Sequence, residues 1–244
     1  MKKAFPILAV LTALLLVYAF YQAIWVAPME RTMGDVQRIF YYHVPSAWTA
    51  FLLFFVNLIA SVTYLVRRNP NADALAFVTA EVGVVFCTVV LVTGPIWARP
   101  VWGIWWTWDV RLTTTLVLWL IYVSYLVLRR FSDSAQTPIL AAVLAIFGAL
   151  DVPLVYFSIW FFRTQHPQPV IGGGGSIDPR MLHVLLINWL AFSCFAFLVC
   201  WFRYRVEWLQ REVEEIEALE SLREPVGPAA QASKAKIPLG REPQ

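Results

Sequence analysis

The sequence predicts an all-α integral membrane protein, a bundle of six transmembrane helices with an external tryptophan-rich loop and both termini in the cytoplasm. Of the 244 residues, 59% are hydrophobic and 14% are charged, and the mean hydropathy is +0.63. Soluble domains are about 45–50% apolar and about 25% charged. The apolar residues also fall into runs close to the roughly 20 residues that cross a bilayer as a helix.

Six such runs follow one another along the chain, and the fourth is the shortest. The predicted spans are residues 5–26, 48–66, 74–92, 113–128, 139–157 and 182–202. The connections between them are too short for a separate soluble domain, so residues 1–206 are expected to form one membrane bundle. The first run could instead be a cleavable signal, but it ends at the interfacial Trp25 without a small-x-small cleavage site, which favours a retained helix.

Residues 207–244 are expected to form a cytoplasmic tail. The stretch Glu207–Leu222 is rich in Glu, Arg and Leu and predicts an extension of the sixth helix. After Arg223 the composition shifts to Pro, Ala, Gly and Lys, which is typical of disorder. The glycine run 172–175 lacks the Lys-Ser/Thr of a phosphate-binding loop, so we interpret it as a flexible joint.

The orientation follows from the positions of the cations, since short loops rich in Lys and Arg stay in the cytoplasm. Pairs of cations lie at alternate ends of successive spans, and six crossings place all of them on one face. These residues are Lys2, Lys3, Arg67, Arg68, Arg129, Arg130, Arg203 and Arg205. The segments 27–47, 93–112 and 158–181 must then share the external face. The net charge of +3 is the sum of these anchors and the tail, and it does not indicate a nucleic-acid partner.

The three cysteines, Cys87, Cys194 and Cys200, all lie inside predicted spans. They form no Cys-x-x-Cys pair, so packing is their expected role. The chain also lacks a Cys-x-x-Cys-His motif, which excludes a covalent c-type haem of its own.

The most unusual segment is Trp97–Arg111, which holds five of the twelve tryptophans within twelve residues. Tryptophans in an ordinary interfacial belt are dispersed over many helix ends. Here they are concentrated in one loop with Gly, Pro, Arg and Asp, which favours a ligand platform. Indoles stack on large flat π-systems and Arg side chains pair with carboxylates, as a porphyrin with two propionates requires.

Two of the three histidines flank this segment. His43 precedes Val44-Pro45-Ser46, a pattern typical of a helix start, and is expected at the external mouth of the second helix. His166 follows the fifth helix in the third external loop. The two residues are therefore expected on one face and on different helices, as a pair of haem iron ligands would be. His183, at the start of the sixth helix, is expected to be interfacial.

Other site types fit these residues less well. Two histidines with no nearby cysteine do not make a tetrahedral zinc site. A transmembrane b-type cytochrome would carry its histidines in mid-helix. The external arginines Arg99, Arg111 and Arg163 are candidates for either propionate or lipid headgroup contacts. The acids Glu81 and Asp151 fall within predicted spans, where an ionised carboxylate is costly unless paired, and no proton-transfer role is assigned to them.

At these residues the sequence resembles the CcmC family, the haem-handling membrane proteins of bacterial cytochrome c maturation, within the wider group of tryptophan-box haem proteins. The resemblance rests on Arg38–Trp48, on Val92–Trp97 leading into Trp102–Leu112, and on Asp151–Ser158 leading to His166. These motifs cover roughly residues 36–180 in order.

The resemblance implies that haem b is held non-covalently and transiently outside the bacterial inner membrane, with His43 and His166 as axial ligands. It implies delivery to the periplasmic haem chaperone CcmE, together with the small membrane subunit CcmD and the ABC-type pair CcmA and CcmB, without independent catalytic turnover. The remaining expected haem-binding residues are Trp97, Trp102, Trp105, Trp106, Trp108, Asp109, Arg99 and Arg111.

The sequence departs from the family pattern at two places. Ile104 stands where the family often has Thr, and Phe161-Phe162 replace a frequent Trp-Trp pair. Both changes keep an apolar wall and bear on packing only. The alternatives are a cytochrome c haem lyase subunit of the same superfamily, whose longer relatives carry an additional histidine pair, a permease subunit of an exporter, and a respiratory cytochrome b subunit.

Overall fold

A computed structural model describes residues 4–132, 134–162, 164–167 and 177–223. The chain divides into two compact units, residues 1–204 and 205–244. The first unit is a helical bundle. In the second unit, residues 205–223 are helical, and Arg211 Nε donates to Glu207 Oε1 at 2.8 Å.

The prediction of an all-α membrane protein is confirmed. Within the described residues, six helices are long and apolar enough to cross a membrane. A π-helical turn, Gln22–Val26, follows the first helix, and a 3-10 turn, Asp35–Ile39, precedes the second. The helices are α1 Ala4–Tyr21, α2 Phe40–Arg67, α3 Pro70–Trp102, α4 Val110–Phe131, α5 Thr137–Phe161 and α6 Pro179–Arg223.

Two helices extend eight or more residues further at one end than the sequence predicted. The α2 helix begins at Phe40 instead of Trp48, so Pro45 lies inside it and does not mark its start. The α3 helix continues through two prolines to Trp102 instead of ending at Val92. The backbone of a membrane segment has no water to bond with, so helices continue through proline and the neighbouring helices accommodate the lost hydrogen bond.

Local chemistry fixes the helix ends near the cation pair Arg67–Arg68 and near the tryptophan segment. Asn69 caps α3 by accepting from Asn71 N at 2.9 Å, and Pro70 occupies the first helical position. At the other end of α3, Gly103 has a φ of 78°, a left-handed conformation that favours glycine. Asp109 caps α4 by accepting from Leu112 N at 2.9 Å.

The core of the bundle lies between α2, α3, α4 and α5. Phe54 and Tyr122 are stacked there, with ring centroids 3.9 Å apart and planes 12° apart. Close contact depends on Gly83, because a Cβ at that position would lie 2.6 Å from Phe54 Cε1. Tyr122 Oη donates to the Ala145 carbonyl at 3.3 Å, so this buried phenol is satisfied.

Two carboxylates on α3 form ion pairs with other helices. Asp73 accepts two hydrogen bonds from Arg129, and its Oδ2 lies 2.8 Å from Nη2. Glu81 likewise accepts from Arg203 Nε at 2.8 Å and Nη2 at 3.2 Å. The cost that the sequence suggests for an acid at position 81 is therefore offset by a cation on α6.

The starts of α2 and α4 meet the ends of α3 and α5 at one end of the bundle, named here the tryptophan end. The segment between α1 and α2 folds against it, where Arg38 Nη1 donates to the Ala23 carbonyl at 2.8 Å. In the same segment the Glu30 carboxylate accepts from the backbone of Thr32 and Met33, at 2.8 and 2.5 Å. These bonds fix the conformation of the segment beside the site described next.

Candidate functional site

A cleft with a cavity volume of about 130 Å³ lies at the tryptophan end. This volume is below the roughly 300–1,000 Å³ typical of closed ligand pockets, so a larger ligand would extend beyond the cleft. Side chains of α2, α3, α4, α5 and the segment after α5 form its walls. Six of the predicted site residues line it, namely His43, Trp97, Trp102, Trp106, Arg111 and His166.

His43 is held by a hydrogen bond between its Nδ1 and Thr93 Oγ1, at 2.8 Å. Thr93 Oγ1 is also 2.6 Å from the Val89 carbonyl, which can only accept, so the hydroxyl proton is directed there. Thr93 therefore accepts from His43, and Nδ1 carries the imidazole proton. The His43 Nε2 lone pair has no hydrogen-bond partner among the described residues and is left to bind a ligand. His43 is the fourth residue of α2, because this helix begins at Phe40 and not at Trp48 as predicted.

His166 reaches the same tautomer through a different partner. Its Nδ1 lies 2.9 Å from the Pro167 carbonyl, which can only accept, so Nδ1 again carries the proton and Nε2 is left unprotonated. Partial burial, and then the positive charge of Arg111, lower the pKa of His166 to about 4. The imidazole is therefore neutral at physiological pH, which is the form that coordinates a metal.

The five predicted tryptophans divide into two groups. Trp97 and Trp102 lie on the last turns of α3, and Trp106 follows in the connection to α4; all three line the cleft. Trp97 packs edge-on against His43 at a centroid distance of 5.8 Å. Trp105 and Trp108 are 59% and 76% exposed and do not line the cleft. The cluster thus presents one face to the cleft and another to the surroundings.

The arginines occupy different environments. Arg111 lines the cleft, and its Nη1 is buried with no hydrogen-bond partner among the described residues. Such a donor would suit an anionic oxygen of a ligand bound in the cleft. Arg99 lies outside the cleft wall and donates to the Gly103 carbonyl, which closes the end of α3. Arg163 lies outside the described residues.

Asp109 does not line the cleft, but it connects the segments that do. Its Oδ1 caps α4, and its Oδ2 accepts from Thr164 Oγ1 at 2.8 Å. Thr107 Oγ1 lies 3.4 Å from the same oxygen. These contacts connect the tryptophan segment both to α4 and to the segment after α5.

Several residues at the cleft were not predicted from the sequence to be site residues. Met33, Trp48 and Tyr156 line it, and Thr93 orients His43. Thr93 lies four residues before Trp97, a helical spacing that puts both on one face. The spacing has this meaning because α3 continues through Pro95, whereas the predicted span ended at Val92.

Of the remaining sequence features in the described residues, Cys87 lines the cleft and the others do not. His183 is exposed on α6 and does not line the cleft. Cys87 is buried, and Cys194 and Cys200 are partly buried. Asp151 Oδ2 is buried without a hydrogen-bond partner in the described part of the chain. The glycine run 172–175 falls outside the described residues.

The cleft combines the groups that a metalloporphyrin requires. His43 and His166 each leave Nε2 available, and the indole walls supply flat apolar surface. The buried Nη1 of Arg111 can donate a hydrogen bond to a carboxylate. Among the described residues no three His, Cys, Asp or Glu side chains are grouped closely enough to hold a bare metal ion. The two histidines would therefore suit a metal that is already held by another ligand, as iron is in a porphyrin.

Comparison with known proteins points the same way. Residues 1–219 match the family model described as "Heme exporter protein C". The chain is 36% identical to heme exporter protein C of Bradyrhizobium diazoefficiens over 224 residues, covering 91% of this chain and 85% of the relative. It is 33% identical to the protein of that name from Escherichia coli (strain K12) over 195 residues, covering 80% and 77%. A ccmC-like mitochondrial protein of cytochrome c biosynthesis in Marchantia polymorpha is 35% identical over 181 residues, covering 74% and 76%.

Proposed function

The chain belongs to the haem exporter protein C family of cytochrome c maturation, and we propose that it binds haem b non-covalently at the periplasmic face of the inner membrane and delivers it to the chaperone CcmE. The observation that carries this proposal is the pairing of His43 and His166 on one cleft, each with Nδ1 protonated and Nε2 available. Ligating histidines commonly donate their other ring N–H to a carbonyl or similar acceptor, which orients the ring.

The side chains around the two histidines have complementary roles. Trp97, Trp102 and Trp106 provide flat walls that exclude water from the macrocycle. Arg111 neutralises one propionate, and this contact satisfies a donor that is otherwise buried and unpaired. The predicted contributions of Arg99, Trp105 and Trp108 would be indirect, because those residues lie outside the cleft wall.

The proposed orientation rests on the cations at the opposite end of the bundle. Arg67 closes α2, Arg129 and Arg130 close α4, and Asn69 with Pro70 begins α3 near the same end. By the positive-inside rule that end is cytoplasmic, so the tryptophan end faces the periplasm. A cleft there is accessible to a periplasmic chaperone without passage of that chaperone into the bilayer.

Delivery requires haem to leave as well as to bind. Iron–histidine bonds and stacking are reversible, whereas thioether attachment would not be. The exposed indoles of Trp105 and Trp108 provide an apolar surface next to the cleft where CcmE can dock. We further propose CcmD and the ABC-type pair CcmA and CcmB as partners within the membrane.

A second candidate function is that of a permease subunit, which the name "exporter" of the relatives favours. A permease would transport haem without retaining it in stoichiometric amounts. Purified protein that keeps about one haem per chain would therefore favour the delivery function over the permease function.

Formation of the covalent adduct between haem and CcmE in cells tests the delivery step. Cells lacking this protein should form no adduct, and the wild-type gene should restore it. A gene encoding His43→Ala and His166→Ala should not restore it, whereas His183→Ala, which changes the exposed histidine, should. Normal adduct levels in cells lacking the protein would contradict the proposal.

A further inference from the structure

We infer that Thr164 is a positioning residue that holds His166 in place to bind the haem iron, by connecting its backbone to Asp109. The inference rests on the proposed ligand role of His166. Thr164 itself does not line the cleft, so its action is indirect.

The Thr164 hydroxyl bridges two groups. Its proton is donated to Asp109 Oδ2 at 2.8 Å, because a carboxylate oxygen can only accept. Its lone pair accepts from the His166 backbone N–H at 3.1 Å. Donation to a carboxylate polarises the hydroxyl oxygen and strengthens the bond that it accepts.

Asp109 provides a fixed anchor for this bridge. Its other oxygen caps α4, accepting from Leu112 N at 2.9 Å. The α4 helix packs within the bundle and carries Arg111 two residues further along. The position of the Thr164 hydroxyl is therefore set by a helix end.

The segment that carries His166 has no comparable second connection in the described part of the chain. The other hydrogen bond of His166, to the Pro167 carbonyl, is local and fixes the ring but not the segment. Residues 164 and 109 are 55 apart in sequence, so this one bond fixes the loop against the tryptophan segment. Loss of the hydroxyl would leave the imidazole free to move away from the cleft.

Replacement of the hydroxyl by a methyl group tests this directly. Thr164→Val keeps the shape and β-branching of the side chain but removes both hydrogen bonds. Thr164→Ser keeps the hydroxyl, and Thr63→Val removes a hydroxyl that donates to the Ile59 carbonyl of its own helix. Each protein is purified with haem, and the spin state is read from absorption and electron paramagnetic resonance spectra.

We expect ferric wild-type protein to be six-coordinate and low-spin through its two histidines. Thr164→Val should convert the haem largely to the high-spin form and lower haem affinity about 10- to 100-fold, as loss of an outer-shell partner typically does. Added imidazole should restore the low-spin spectrum, since the vacated position remains accessible. Thr164→Ser and Thr63→Val should match the wild type.

Three results would overturn the inference. A low-spin Thr164→Val protein of wild-type affinity would show that the hydroxyl is dispensable. Equal loss in Thr164→Ser would show that the hydroxyl is not the active group, and loss without imidazole rescue would show a damaged cleft. If Thr164→Val is not recovered as monodisperse protein, Thr164→Ala replaces it with the same expectations. Absence of low-spin haem in the wild type would instead contradict the proposed function.

Discussion

Thr93 Oγ1 accepts a hydrogen bond from His43 Nδ1 at 2.8 Å, and this bond leaves Nε2 as the nitrogen available for a ligand. We predict that Thr93→Val frees the ring to rotate and lowers haem affinity about 10- to 100-fold. Thr93→Ser, which retains the acceptor oxygen, should bind haem like the wild type. Titration of the haem-free proteins with haem, followed by absorption, measures this, and equal affinities for valine and wild type would contradict the role of the bond.

The low pKa of His166 predicts how this residue titrates. In the haem-free protein its imidazole should take up a proton near pH 4, below the ordinary value of 6.5. The folded state therefore resists protonation while the unfolded chain does not, so the free energy of unfolding falls as the pH is lowered from about 6.5 to 4. Above pH 6.5 this residue contributes no pH dependence.

NMR of protein labelled with ¹⁵N at histidine measures that titration directly. Replacement of Arg111 by Leu should raise the pKa of His166, because it removes one cause of the lowering. A native His166 that titrates near 6.5 would contradict the described burial and the proximity of the guanidinium.

Arg111 is predicted to bind a haem propionate with its buried Nη1. Charge-assisted hydrogen bonds contribute about 1.5–3 kcal/mol, so Arg111→Leu should weaken haem binding roughly 10- to 150-fold. Both histidines should still bind the iron in this variant. Arg180→Ala serves as the control, because Arg180 is exposed and pairs with Asp178. The haem dimethyl ester, which has no free carboxylates, should bind wild type and Arg111→Leu equally. A larger loss with the ester would refute the propionate contact.

The ion pair between Asp73 and Arg129 is predicted to stabilise the bundle. Both side chains are buried, with 7% and 10% of their surface exposed, and removal of one partner leaves a buried charge. Asp73→Asn should therefore lower the free energy of unfolding by about 3–5 kcal/mol. Asp35→Asn breaks an exposed pair with Arg38 and should cost less than about 1 kcal/mol. Denaturation in mixed micelles compares the two, and equal costs would contradict the prediction.

The sequence was sufficient to predict which segments meet at the site. Alternation of cation pairs along six apolar runs placed His43, the tryptophan segment and His166 at one end, and the structure brings members of all three to one cleft. Proline was misleading, because Pro45 and Pro95 mark helix ends in water but are tolerated inside helices in a bilayer.

The contacts that orient the histidines could not be predicted in this way. Thr93 is 50 residues from His43, and Thr164 is 55 residues from Asp109. Threonines of this kind are common in membrane helices, where most bond to their own helix, as Thr63 does. Only the three-dimensional arrangement distinguishes a hydroxyl that orients a ligand from one that satisfies its own backbone.

The absorption spectrum of purified protein carrying both His43→Ala and His166→Ala tests the central claim most directly. His183→Ala is the matched control, since it changes the remaining histidine, which is exposed and outside the cleft. We predict that the double variant loses the low-spin haem spectrum of the wild type while the control keeps it. A double variant with an unchanged haem spectrum would contradict the assignment of these two histidines as the haem ligands.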